Sequence, residues 1–421
     1  MRTITALLTF LLWMPTTLPA VVRDWPGAAP CNLSFMECLN AAQAGDTIRL
    51  YTNGPISDRI VIERPVSLLA APGYQPVFNG TENHAFSINS TVPFSLTLSG
   101  LHFVGSSVYV GFYGTGAGEV LLEGLSFTGN ASTVQTQIGV QMQQTGAQRS
   151  RLRILRSHFQ IGSDAAAPFS IALFGSSNAG LDVQIEDNRF APEPQSMGAN
   201  GHRALFASLS GNSRYDLAFR RNQILPAAAL PARRYANGIE WNTTDASTVY
   251  LQLSDNLFVL DPIDGAGGAA ISAGGTNGGS VDLRAINNTL LGAYNALAFR
   301  ANVSGRIDNS LISGVVRLHE GQAPASAFQF RNNLMVDIAQ SSSWSIPLGT
   351  LTLPAQVSPL GVPLPGSPLI DGGSDSARAE AGPGNYAAPD PRDAWGLARL
   401  QGAHVDIGAF EGERIYYDGA E

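Results

Sequence analysis

The sequence predicts an all-β solenoid, a chain wound into stacked coils of short parallel strands, and three observations predict it. A short phrase keeps returning between about Leu181 and Val336: Asp187-Asn188-Arg189-Phe190, Arg221-Asn222-Gln223-Ile224, Asp255-Asn256-Leu257-Phe258, Asn287-Asn288-Thr289-Leu290, Asp308-Asn309-Ser310-Leu311 and Asn332-Asn333-Leu334-Met335. Each phrase follows a run that alternates apolar and polar residues, such as Leu181 to Ile185 or Val249 to Leu253. Counted on the last residue of each phrase, the returns are 34, 34, 32, 21 and 24 residues apart, the length of one repeated supersecondary unit. Phe103, Phe127 and Phe159 are weaker echoes upstream.

What repeats is a strand, a one-residue corner and another short strand. Asn suits the corner because its short amide bonds local backbone and tolerates the left-handed region. If coils stack at the roughly 4.8 Å spacing of paired strands, the amides also lie over one another as a ladder. The apolar residue that follows then points inward. This pattern resembles the right-handed parallel β-helix of pectate-lyase-like proteins, over roughly residues 46–340. A propeller needs blades of about 40–45 residues with four strands each, against about three strands per repeat here, and a sandwich repeats no corner.

Element by element, residues 1–20 come first. Arg2, the apolar stretch from Ala6 to Met14 and the small or Pro-containing run to Ala20 predict a secretory signal peptide cleaved near Ala20. The run is too short to span a bilayer, and no later segment approaches the required ~20 apolar residues. An exported protein, secreted or at the cell surface, is therefore expected. The chain has no Lys, and all 25 basic residues are Arg against 33 acids. Without a basic stripe, no nucleic-acid partner is expected. The two cysteines, Cys31 and Cys38, predict a disulfide in an exported chain in preference to two free thiols. They lie on a stretch, Cys31 to Ala44, that reads as a short helix ending at Gly45, with Asp46 to Leu50 opening the first strand. Residues 21–45 are thus a cap over the unpaired edge of the first coil.

From Asp58 to Gln144 alternating strands are separated by Gly-, Asn- and Ser-rich turns. The Gly114 to Gly118 run has neither the strand-to-helix context nor the Lys of a phosphate loop and reads as a turn. In the clear repeats, long connections (192–203, 226–236 and 261–268) precede strands at 204–208, 238–242, 270–272, 297–300 and 315–319. Period-two counting turns Ile239, Trp241, Ile271, Leu297, Phe299, Val316 and Leu318 inward. It leaves Phe206, Ser208, Glu240, Asn242, Ser272, Arg300, Arg317 and His319 facing out. In the resembled family the corresponding face forms the substrate groove. Glu240, Asn242, Arg300, Arg317 and His319 are accordingly the expected binding residues for an acidic polysaccharide, with Arg pairing uronate carboxylates in forked geometry. The plain alternative is that an outward face must be polar somewhere.

No catalytic motif is identifiable. A Lys-base lyase is excluded by the missing Lys, and the signature phrases of polygalacturonases, alginate epimerases and pectin methylesterases are absent. The six His show no metal spacing, and no Gly-x-Ser-x-Gly elbow occurs. The surviving enzymatic alternative is a calcium-dependent polysaccharide lyase with Arg300 or Arg317 as base and Glu240, Asp261 or Asp264 as calcium ligands. Otherwise no cofactor is expected.

Beyond Gln340 the repeat fades into a Pro-rich connection. Gly366-Ser367-Pro368-Leu369-Ile370-Asp371-Gly372-Gly373, then Asp390-Pro391-Arg392-Asp393, then Val405-Asp406-Ile407-Gly408-Ala409-Phe410-Glu411 follow in order. This set resembles the terminal region of choice-of-anchor Q proteins, exported bacterial β-helix proteins of the cell surface. Residues 341–412 are expected to wrap the last coil and cover its edge. The tail 413–421 resembles short terminal sorting tags, with Ala420 replacing the usual Phe, or is a frayed end. The sequence therefore predicts a monomeric, exported rod that binds or displays toward polysaccharide, in the manner of an adhesin or carbohydrate-binding module.

Overall fold

The computed structural model of the chain describes residues 20–79, 83–129, 136–144, 148–161, 169–192, 202–226, 237–260, 268–321, 328–339, 352–379, 391–399 and 402–412. The predicted signal peptide, tail and long connections fall almost wholly outside them. Among the described residues the strands form three sheets of twelve, eleven and ten members, and every pairing between strands is parallel. One coil shows the course of all. Gly180–Glu186 lies in the twelve-stranded sheet, Arg189–Pro192 in the eleven-stranded sheet and Arg203–Leu209 in the ten-stranded sheet; Arg214–Arg220 then returns to the first. The fold is an all-β parallel β-helix.

The corner between the first two of these strands divides its work between two residues. Left-handed backbone falls on Asp187, Arg221, Asp255, Asn287, Asn309 and Asn332, with φ between 47° and 58°. The next residue builds the ladder. The Asn222 Oδ1 accepts from the Asn188 N–H at 3.1 Å, Asn256 does the same for Asn222 at 2.9 Å, and Asn288 for Asn256 at 3.1 Å. Each amide Nδ2 donates back to a carbonyl of the preceding coil, as Asn222 does to Ile185 and Asn256 to Phe219, both at 2.8 Å. The sequence reading gave both tasks to one Asn, and in the fifth repeat this misplaced the phase. There Asn309 is the left-handed residue, and Ser310 takes the ladder position, accepting from Asn288 through its hydroxyl and donating its N–H to Asn333 Oδ1.

Inside the corner, one residue per coil stacks on its equivalents. Phe78, Phe103, Phe127, Phe159 and Phe190 form a run of stacked rings with centroids 4.8–5.4 Å apart. Ile224, Phe258, Leu290, Ile312 and Met335 continue the column, all buried. A ring buried in such a stack contributes about 1.5–3 kcal/mol through area alone and about 0.5–1.5 kcal/mol more through ring contact.

The N-terminal cap holds more than a helix. Val22–Trp25 is itself a strand, paired in parallel with Thr47–Leu50, so the first strand is not the one opening at Asp46. Helix α1 spans Phe35–Ala41, shorter than the predicted stretch, because Ser34 and Glu37 form a capping box at its start. At its end the Arg64 guanidinium donates to the carbonyls of Leu39, Asn40 and Ala42. The Cys31–Cys38 disulfide is present, and Phe35 seats the helix on Phe78 with ring centroids 5.9 Å apart.

The C-terminal region does not simply wrap the last coil. It runs along the flank, outside the eleven-stranded sheet. Gln223 donates to the Ala394 carbonyl, Asn287 to that of Asp406, and the Gly408 N–H to the carbonyl of Asn309. Two apolar clusters seal this flank. Val362, Ala394, Ala409 and Phe410 cover Leu225, Leu257 and Val259, while Leu369 and Ile407 cover Leu311, Leu334 and Val336. At its centre Arg399, 1 % exposed, is held by Asp255, Glu411 and the carbonyls of Gly408 and Phe410.

Candidate functional site

The ten-stranded sheet turns its outer face to solvent, and two ladders run across it. One carries Phe206, Glu240, Ser272, Ala298 and Glu320 on successive coils. The other carries Phe174, Ser208, Asn242 and Gly274, with Arg300 beyond them. Gly274 makes room for Arg300, since a Cβ there would lie 2.3 Å from the Arg300 Cβ. Over that gap the Arg300 guanidinium reaches back two coils and donates to Asn242 Oδ1 at 3.1 Å.

A cavity of about 330 Å³ opens on this face, lined by Arg203, Asn237, Glu240, Ser272, Ala298, Phe299, Arg300, Glu320 and Gly321. Glu240 is already engaged on both carboxylate oxygens. Arg203 Nε pairs with Oε2, and Asn242 Nδ2 donates to Oε1 at 3.0 Å. Arg203 also lies over the Phe169 ring, 5.6 Å from its centroid. Glu320 receives a hydrogen bond from Asn295 and faces Arg317 at 3.8 Å. Two of the three cations thus have an acidic partner. Among the described residues Arg300, which is exposed, has none; its partner is an amide.

Of the residues expected from sequence, the structure brings Glu240, Asn242 and Arg300 together. Arg317 lies beside the cavity, over Tyr294 and next to Glu320, without lining it. His319 is a correction. It points inward, 6 % exposed, in register with Leu297 and with its ring 5.6 Å from that of Phe299. Val316 is likewise half-buried, and Val315 and Leu318 take the core positions. The cause is the buried second residue of each of these strands, Ala270, Ala296 and Leu318, directly before the first inward residue. Two consecutive buried positions break a period-two count. Starting from the second member of the pair selects Glu320 as outward, which the count missed. Arg203 was assigned to a connection, although the Arg203-Ala204-Leu205 sequence carries the same buried pair after it.

Asp261 and Asp264 lie outside the described residues. Within them no group of three or more His, Cys, Asp or Glu side chains converges as a metal site, and both oxygens of Glu240 already have protein partners. Burial depresses the basicity of the His202 imidazole to a pKa of about 4, keeping it neutral.

The fold and this face define a class, a parallel β-helix with a polar, cation-bearing groove on one sheet. No known family's profile matches the sequence, and no curated protein matches it. Among solved structures the chain is similar to a pectate lyase, Pel9A. The two share 15 % sequence identity over 93 % of this chain and 96 % of that one, with a TM-score of 0.35. At that identity and that fit, nothing about individual residues follows from the likeness.

Proposed function

We propose that this is an exported protein, secreted or held at the cell surface, which binds or displays toward acidic polysaccharide along the outer face of its ten-stranded sheet. Arg300 contacts the sugar's anionic group, and Asn242 aims it. The observation that carries this reading is the pairing of charges on this face: Arg203 is matched by Glu240 and the neighbouring Arg317 by Glu320, so Arg300 is the cation left for a ligand. The residues 341–412 that resemble a choice-of-anchor Q region, and the 413–421 tail, belong to the same reading of display at a surface.

Binding is favoured over hydrolysis. Glu240 and Glu320 stand three coils apart on one ladder, roughly 14 Å at the spacing of paired strands. Paired glycosidase carboxylates sit about 5–9.5 Å apart. The rival reading, a calcium-dependent lyase with Arg300 or Arg317 as base and calcium on Glu240, Asp261 or Asp264, draws on the exposure of Arg300. It is weakened by the Arg203 pairing that already engages Glu240.

Both readings meet one experiment. Residues 21–421 are titrated with pectate, alginate and glycosaminoglycans by calorimetry, and incubated with the same polymers with and without calcium while absorbance from unsaturated uronates is followed. The expected result is saturable binding without a rise in absorbance. Arg300→Ala should weaken binding about 10–100-fold, the worth of a charged hydrogen bond, and Arg317→Ala much less. A calcium-dependent rise abolished by Arg300→Ala would establish the lyase instead.

A further inference from the structure

Asp46 stands outside the groove and is used by none of the chemistry above. It is 2 % exposed, at the turn into the strand Thr47–Leu50. Its carboxylate collects donors from the start of the chain. Oδ1 accepts the backbone N–H of Val21 at 2.8 Å, while Oδ2 accepts that of Gln43 at 2.9 Å and the Arg23 Nε at 3.3 Å. Val21 also accepts, through its carbonyl, the N–H of Thr47 at 2.9 Å. Burial pushes the Asp46 carboxyl up, but the backbone donors and Arg23 outweigh it, and the group stays below its ordinary value, ionised. The position of Val21 is informative because the signal-peptide pattern ends at Ala20, which is exposed.

We propose that cleavage between Ala20 and Val21 leaves an α-ammonium on Val21 that ion-pairs with the buried Asp46 carboxylate, fastening the first strand to the end of the solenoid. This rests on the reading of the chain as exported. The step is hydrolysis by a signal peptidase: water adds across the Ala20–Val21 peptide bond, Ala20 departs with the carboxylate, and the Val21 nitrogen keeps the amine and takes up a proton. The nitrogen that donated to Asp46 as a neutral amide then donates as a cation. With Asp46 ionised the amide bond is already charge-assisted, and the ammonium adds a full opposite charge at the same buried oxygen, turning a hydrogen bond into an ion pair. The consequence is local and mechanical. Val22–Trp25 is the outermost strand of its sheet, paired only with Thr47–Leu50 among the described residues, and such a strand peels first unless its end is tied.

The chain offers a clean test, because a protein with no Lys has its α-amine as its sole primary amine. The full-length precursor is expressed with its leader in an exporting host, and the mature N-terminus is read by intact mass and sequencing. The purified protein is then acetylated, which removes the charge but keeps the N–H donor, or reductively dimethylated, which keeps the charge. Thermal unfolding is compared for both products. Acetylation is expected to lower Tm by about 1–2 °C, the scale of about 1–2 kcal/mol in a chain of this length, dimethylation by clearly less, and acetylation of Asp46→Asn not at all. A mature N-terminus elsewhere would overturn the proposal by overturning the maturation step. A start at Val21 with acetylation and dimethylation indistinguishable would overturn the ion pair while leaving the cleavage site standing. If Asp46→Asn does not fold, the two modifications of the unaltered protein still decide.

Discussion

At the residue scale, Asn256 shows how one side chain holds two coils. Its Oδ1 accepts the buried N–H of Asn222, and its Nδ2 donates to the buried carbonyl of Phe219. In Asn256→Ala both backbone groups lose their partner in a space closed to water, and each orphan costs about 1–3 kcal/mol. The variant is expected to lose about 2–6 kcal/mol of stability by that reckoning, read as a lower urea midpoint at unchanged slope. Ser310→Ala should cost less, since of the two groups the hydroxyl serves, the Asn288 N–H and the Asp308 carbonyl, the carbonyl keeps the Asn287 N–H as a partner. The same scale explains what a sequence reading sees and what it misses. The Asn was legible because an unusual residue type recurs. The left-handed position hid beside it: five of its six occupants are Asp or Asn and only Arg221 departs, but the same residue types fill the adjacent ladder position, so composition does not separate the two.

At the element scale, the C-terminal region is clasped to the flank by a buried charge cluster with more acids than bases. Arg399 faces Asp255 and Glu411 directly, with Asp393 and Asp406 close by and Asp371 beside Asp406. Burial pushes the Glu411 carboxyl up to about 7 against the pull of Arg399, and burial also raises Asp393 and Asp406. These shifts set the sign of the pH dependence. A carboxyl raised on folding binds its proton more tightly in the docked state, so docking weakens as pH rises from the ordinary value of about 4.5 to about 7 and is weakest above that. Amide hydrogen exchange at Gly408 and Ala409, whose N–H groups bond across the clasp to Asn309 and Thr289, should therefore be slower at pH 5 than at pH 8 after correction for intrinsic rates. Glu411→Gln should flatten the difference. A profile unchanged by that substitution would count against the cluster as its origin.

At the scale of the whole molecule, the outer position of the eleven-stranded sheet records where the chain covers itself. On successive coils it reads Ser126, His158, Arg189 and Gln223, and then Leu257, Thr289, Leu311 and Leu334. The polar half is exposed or half-exposed, with Gln223 at its border bonding Ala394, and the mainly apolar half lies beneath the C-terminal region. Ending the chain after residue 351 should expose this second half as one apolar strip, and the truncated protein should associate. Light scattering at matched concentration would show larger species than for the full chain. A monodisperse, equally soluble truncation would mean that the strip is not what holds the region down.

The sequence by itself determined the solenoid, the corner ladder, the inward column and the disulfide, because each repeats or pairs with a fixed local geometry that residue type and spacing report directly. Glu240, Asn242 and Arg300 were legible because alternation holds beyond the buried pair that opens each run, and the count there began on the inward Ile239 and Leu297. Only the tertiary structure decided that His319 is core, that Glu320 replaces it on the face, that Arg203 engages Glu240, and that the C-terminal region lies along the flank. Those outcomes depend on which coils stand next to each other and in what register. A strand entered through two buried residues carries no sign of that in its own alternation. A segment more than a hundred residues downstream meets Asp255 and Asn287 only after every coil between them has been laid down.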